Sequence, residues 1–140
     1  MSKITALFAS KPLQIALIVA ALAIAIYWYG GNAAVEKQKN DPKLPNNGQG
    51  IPTNWNPEPR ASALFEVMNG IGSTADKESE WAICMSLTDD QLTAVYGAFN
   101  RRYCAGDDQT LTTWIKWETG AWFGSVKPAL LQRLRSLNLN

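Results

Sequence analysis

Leu87-Thr88-Asp89-Asp90-Gln91-Leu92 reads as the start of a helix whose register is fixed by its own side chains. Thr88 can accept a hydrogen bond from the Gln91 backbone N–H while the Gln91 side chain reaches back to the Thr88 N–H, and Leu87 and Leu92 close over the pair as a hydrophobic staple. Asp89 and Asp90 suit the positive end of a helix dipole. Beyond this start, Leu92, Val95, Tyr96, Phe99 and Tyr103 recur at helical spacing over nearly three turns, so one face turns inward throughout. With helix signals on either side of it, the segment sets the fold class as all-α.

Outward toward the N-terminus, Pro57 and Pro59 open a helix over about 58–68 that presents Ala61, Leu64, Phe65 and Met68 on one face and stops at Asn69-Gly70. Ser73 or Thr74 can cap the next helix. Asp76, Glu78 and Glu80 favour its positive end, and Trp81, Cys84, Met85 and Leu87 supply its apolar contacts. Toward the C-terminus a helix spans about 109–118 with Leu111, Trp114 and Ile115 inward. After the break at 120–124, Ser125 can cap a last helix that tolerates Pro128 in its first turn and buries Val126, Leu130, Leu134 and Leu137. Five short helices thus fill residues 60–140, close to the lower size limit for a domain with its own core.

Residues 13–29, LQIALIVAALAIAIYWY, form an uncharged apolar run closed by Tyr27, Trp28 and Tyr29. A bilayer would receive Leu13, Ile18, Leu22 and Ile26 and hold the aromatic cluster at its interface. Residues 1–29 are therefore expected to be a membrane anchor, with a single transmembrane helix over about 12–29. At 1.5 Å per residue the run measures about 25 Å, short of the roughly 30 Å hydrocarbon core. Snorkelling by Lys11 helps it span, and Pro12 is expected to mark a bend, with residues 4–11 lying in the interface. The rival reading is a secretory signal peptide, with Lys3 and Lys11 as its basic region and Gly31-Asn32-Ala33 as a small-residue cleavage site. Three bulky aromatics suit an interfacial belt better than the approach to a cleavage site. Lysines flank the run on both sides, so the positive-inside rule leaves the orientation undetermined.

Residues 30–59 carry Pro42, Pro45, Pro52, Pro57 and Pro59, glycines at 30, 31, 48 and 50, and six asparagines. Almost no apolar periodicity interrupts them, which predicts an extended linker whose ends lie about 30 Å apart as a flexible coil. Ile51 and Trp55 are its large apolar groups after Leu44; either they dock or they stay in water.

The chain has no histidine, which removes the commonest general base and the commonest metal ligand. Residues 60–140 hold nine acidic against eight basic side chains, so they have no electrostatic footprint for nucleic acid. The two cysteines, Cys84 and Cys104, flank a helix about 24 Å long, too far apart for a bridge, and are expected to be free, buried thiols. No motif unites carboxylates for catalysis, so neither an enzyme nor a small-molecule substrate is expected.

The run Leu64-Phe65-Glu66-Val67-Met68-Asn69-Gly70-Ile71-Gly72-Ser73-Thr74, followed by an acidic first turn, by Leu92 and Tyr96 on the next helix, and by Trp117-Glu118-Thr119-Gly120 before a final helix, resembles one annexin repeat. The resemblance covers roughly residues 61–137 and extends to the annexin-like repeats found singly or in pairs in bacterial and phage proteins. It implies a five-helix repeat and a calcium loop made from the carbonyls of Met68, Gly70 and Gly72 with Glu118 as the distant acid, an oxygen set suited to a hard cation. Two departures count against that loop: Ser73 stands where the family has Thr directly after its second Gly, and Met68 and Glu118 are several residues further apart than in annexins. The plain alternative is that Gly70 and Gly72 end one helix, Ser73 or Thr74 caps the next, and Glu118 is solvated. Calcium aside, no cofactor is expected.

Trp117, Trp122 and Phe123 fall on or beside a loop. Either they fill the gap between the last two helices or they form an aromatic contact patch. With Trp55 they are the candidate protein-binding residues. The function expected is that of a single-pass membrane protein, of a bacterial envelope or a virion, that presents a small helical adaptor to partners in a larger assembly. The alternative is an annexin-like module making calcium-dependent contact with lipid or protein.

Overall fold

The computed structural model describes residues 11–70 and 72–140, with backbone alone for residues 11–17, 28, 29 and 32. All six helices among the described residues are α-helices: α1 (Lys11–Asn40), α2 (Glu58–Met68), α3 (Thr74–Ser86), α4 (Asp89–Tyr103), α5 (Leu111–Trp117) and α6 (Lys127–Ser136), and no strand occurs among them. The chain divides into two compact units after Glu36, the second running from Lys37 to Asn140.

The five helices of the second unit start and stop where local chemistry dictates. Ser73 and Asp76 form a reciprocal capping box at α3, and Thr88 and Gln91 form the expected one at α4. Thr110 caps α5, accepting from the Thr113 N–H. That helix is shorter than expected, because Gln109 lies outside it and donates its backbone N–H to the Asp107 carboxylate. At α6 the cap position falls on Val126, while Ser125 one residue earlier accepts from the Lys127 N–H at 3.2 Å and donates to Glu78. Gly70, at φ 82°, ends α2 in the left-handed region that glycine enters without strain.

The core forms around α4. Leu92, Val95 and Phe99 are fully buried with Leu64, Trp81, Leu111, Ile115, Leu130 and Leu134 from the surrounding helices. Phe65 and Tyr103 stack with ring centroids 4.0 Å apart, and Trp114 meets Phe99 edge-on at 5.6 Å. Cys84 and Cys104 are buried and free. Burial pushes their thiols up to about 12 and about 11, which keeps them protonated and unreactive.

The expected linker over 30–59 is corrected in both halves. Residues 30–40 continue α1, and residues 41–57 form a belt docked on α4. Lys39 is 9% exposed, and its ammonium donates to the carbonyls of Cys104, at 2.6 Å, and Asp107. Asn100, fully buried, donates to the Lys39 carbonyl at 3.0 Å and accepts from the Leu111 N–H at 2.8 Å, tying the end of α1 to the start of α5. The buried Asp90 carboxylate accepts from the N–H groups of Asn46 and Gly50 at 2.8 and 2.9 Å, and Thr88 donates to the Gly50 carbonyl. Hydrogen bonds to charged or buried groups, and not apolar periodicity, hold the belt, which is why its composition reads as a loose tether. Trp55 packs half-buried against the core.

In α1, Ile18, Leu22, Ile26 and Tyr27 are exposed, Tyr27 at 81%. Among the described residues no helix is long and apolar enough to cross a membrane. The side chains of Leu13, Trp28 and Tyr29, which complete the apolar run, lie outside that set, as do residues 1–10 and with them the bend expected at Pro12.

Candidate functional site

The surface at the end of α5 is shaped by a carboxylate that the helix dipole alone does not explain. Glu78 on α3 accepts from the N–H groups of Ala121 and Val126, at 2.8 and 2.9 Å, and from the Ser125 hydroxyl at 2.6 Å. Partial burial opposes its ionisation, but these bonds and the nearby Lys127 ammonium outweigh that and hold its carboxyl below the ordinary value. Lys127 in turn donates to the carbonyls of Lys116 and Glu118. At Gly120 a Cβ would stand 2.7 Å from the Ser125 Oγ and 3.1 Å from the Glu78 Oε1, so a larger residue would have to displace this pair. The loop so gathered projects Trp122 and Phe123 into solvent, 94% and 92% exposed, with Trp117 at 67% at the end of α5. Of the two arrangements open to these aromatics, the structure shows the exposed one.

Beside the loop is an open cleft of about 420 Å³. Met68, Asn69 and Gly70 line it from the end of α2, Gln109 from ahead of α5, and Trp114, Trp117 and Glu118 from α5 and its terminus. Three of the four residues named for a calcium loop therefore meet in one place. Gly72 does not line the cleft; it packs back on α2, where a Cβ would lie 2.4 Å from the Val67 carbonyl oxygen. Nor is Glu118 a free ligand, because its Oε2 is ion-paired with Lys77 and only about a fifth of its side chain is exposed. Among the described residues no group of three or more His, Cys, Asp or Glu side chains is placed to hold a metal ion.

Asp89, Asp107 and Asp76 are engaged elsewhere. Asp89 pairs with Arg133, whose guanidinium also donates to the carbonyls of Met85 and Leu87 and so caps α3 from α6. Asp107 restrains Gln109, and Asp76 closes its own capping box. Glu78, Asp90 and Asn100 carry much of the architecture, and sequence reasoning passed over these roles: at the start of a helix an acid already has a sufficient local explanation, and Asn100 sits in an otherwise apolar helix face without a motif around it.

Comparison with protein-family models, with curated proteins and with solved structures finds no match to this chain.

Proposed function

We propose that this is a membrane-anchored interaction protein, in which the apolar run at 13–29 holds the chain to a lipid bilayer and the domain from Lys37 onward presents a contact surface to a protein partner. The observation that carries the contact surface is the loop at 121–126: Glu78 restrains its backbone at Ala121 and Val126 while Trp122 and Phe123 stand more than nine-tenths exposed. Two large adjacent aromatics held in water by a restrained loop lose little further entropy on binding, and such residues dominate the energetics of protein interfaces. Only residues 30–36 separate the apolar run from this domain. The narrower setting, a minor membrane component of a virion or a bacterial envelope, rests on the annexin-like resemblance and small size.

Photo-crosslinking from position 122 in the native membrane tests the contact. A defined protein adduct from 122 that is absent from the exposed control position 82 supports the reading, and equal adducts from both sites would sink it.

The annexin-like calcium module is the second reading, favoured by the meeting of Met68, Gly70 and Glu118 in one cleft. Against it, an incoming cation must displace Lys77 from Glu118. Calorimetric titration separates the two, since no heat of binding at millimolar calcium removes the second.

A further inference from the structure

The cleft carries an inference beyond anchoring and protein contact. Its volume of about 420 Å³ falls within the roughly 300–1,000 Å³ typical of small-ligand sites. One wall is the indole of Trp117, two-thirds exposed at a helix end. Beside it stand the carboxamides of Asn69 and Gln109, whose side chains make no hydrogen bond to another described residue. Each offers two N–H donors and a carbonyl acceptor. Glu118 adds a carboxylate whose Oε2 is taken by Lys77 while its Oε1 still has lone pairs to share. Because Lys77 neutralises that acid, the cleft offers neither the anionic character that selects an ammonium ligand nor the cationic one that selects a phosphate. What it offers is an aromatic face flanked by two carboxamides and an ion-paired carboxylate.

A pyranose ring has the complementary chemistry. Its C–H groups form an apolar face that lies flat on an indole, and its equatorial hydroxyls each donate and accept at the ring edge. We infer that the cleft between the ends of α2 and α5 binds a neutral saccharide, with Trp117 as the stacking platform and Asn69, Gln109 and Glu118 as the hydroxyl partners. The site is distinct from the Trp122–Phe123 contact, so a cleft that ignores sugars leaves the proposed anchoring and protein contact intact.

The test uses the full chain in a detergent without a sugar headgroup, titrated with cellotriose, maltotriose and triacetylchitotriose while intrinsic tryptophan fluorescence and thermal midpoint are followed. At least one sugar should give a saturable change with a dissociation constant below about 1 mM and a rising midpoint. Trp117→Ala, a substitution at an exposed position, should weaken that binding roughly tenfold or more with the sugar-free midpoint unchanged, and Gln109→Ala should weaken it severalfold. Saturation by none of the three sugars, affinity unaltered in Trp117→Ala, or saturation by phosphocholine in their place would overturn the inference.

Discussion

Lys39 donates to the backbone carbonyl of Cys104 at 2.6 Å, across 65 residues of sequence, and so makes the end of α1 part of the domain that follows it. Its ammonium sits where α4 leaves its last carbonyls without intrahelical partners, the negative end of the helix dipole. Asn100, one turn earlier on α4, holds the Lys39 carbonyl and the Leu111 N–H with a single side chain. Replacing Asn100 by Ala strands both buried groups and is expected to cost about 2–4 kcal/mol in chemical denaturation. In a double-mutant cycle with Lys39→Ala the two losses should be non-additive, since both act on one junction.

Gly97 reports the belt directly. In an exposed helix interior Gly→Ala gains about 1 kcal/mol, but a Cβ at position 97 would stand 2.8 Å from the Pro42 Cδ and 3.0 Å from the Asn40 carbonyl oxygen. The clash should win. Gly97→Ala is expected to lower stability by about 1–3 kcal/mol and to raise amide exchange over residues 41–50, whereas a stabilised protein would mean that the belt leaves α4 readily.

Thr88→Ala removes two bonds, the cap to the Gln91 N–H and the donation to the Gly50 carbonyl. A cap alone is worth about 1 kcal/mol, so a loss nearer 2 kcal/mol in denaturation midpoints is expected if the second bond contributes as an ordinary one.

The loop bearing Trp122 should be sensitive to acid. Glu78 has its folded-state value held below its ordinary 4.5, so its contribution is complete above that pH and is lost as pH falls through the lower folded value. Fluorescence anisotropy of Trp122, with the other tryptophans replaced by Phe where stability permits, should stay constant from neutrality to about pH 5 and drop below 4.5. Glu78→Gln should show the low value at every pH.

The helices were legible because their information is local. Thr88 and Gln91 cap α4, the spacing of Leu92, Val95 and Phe99 sets its face, and Pro57 and Gly70 bracket α2. The belt was not, because Asp90 reaches backbone N–H groups 40 and 44 residues away and belt residues of that composition look the same docked or free. In the candidate site, the loop position of Trp122 and Phe123 suggested exposure without deciding it; the bonds from Glu78 do. Met68, Gly70 and Glu118 do meet, yet the pairing of Glu118 with Lys77 has no signature in sequence, since the two stand 41 positions apart.

Alkaline carbonate extraction of membranes containing the full chain tests anchoring by residues 13–29 most directly, run beside Ile18→Lys/Leu22→Lys. Each charge near the centre of a spanning helix costs about 2.5–3.5 kcal/mol, so the wild-type chain should remain with the membrane at full mass and the double variant should be released. Wild-type protein in the wash, both forms retained alike, or a mature chain beginning near Gly31 to Ala33 would contradict the account.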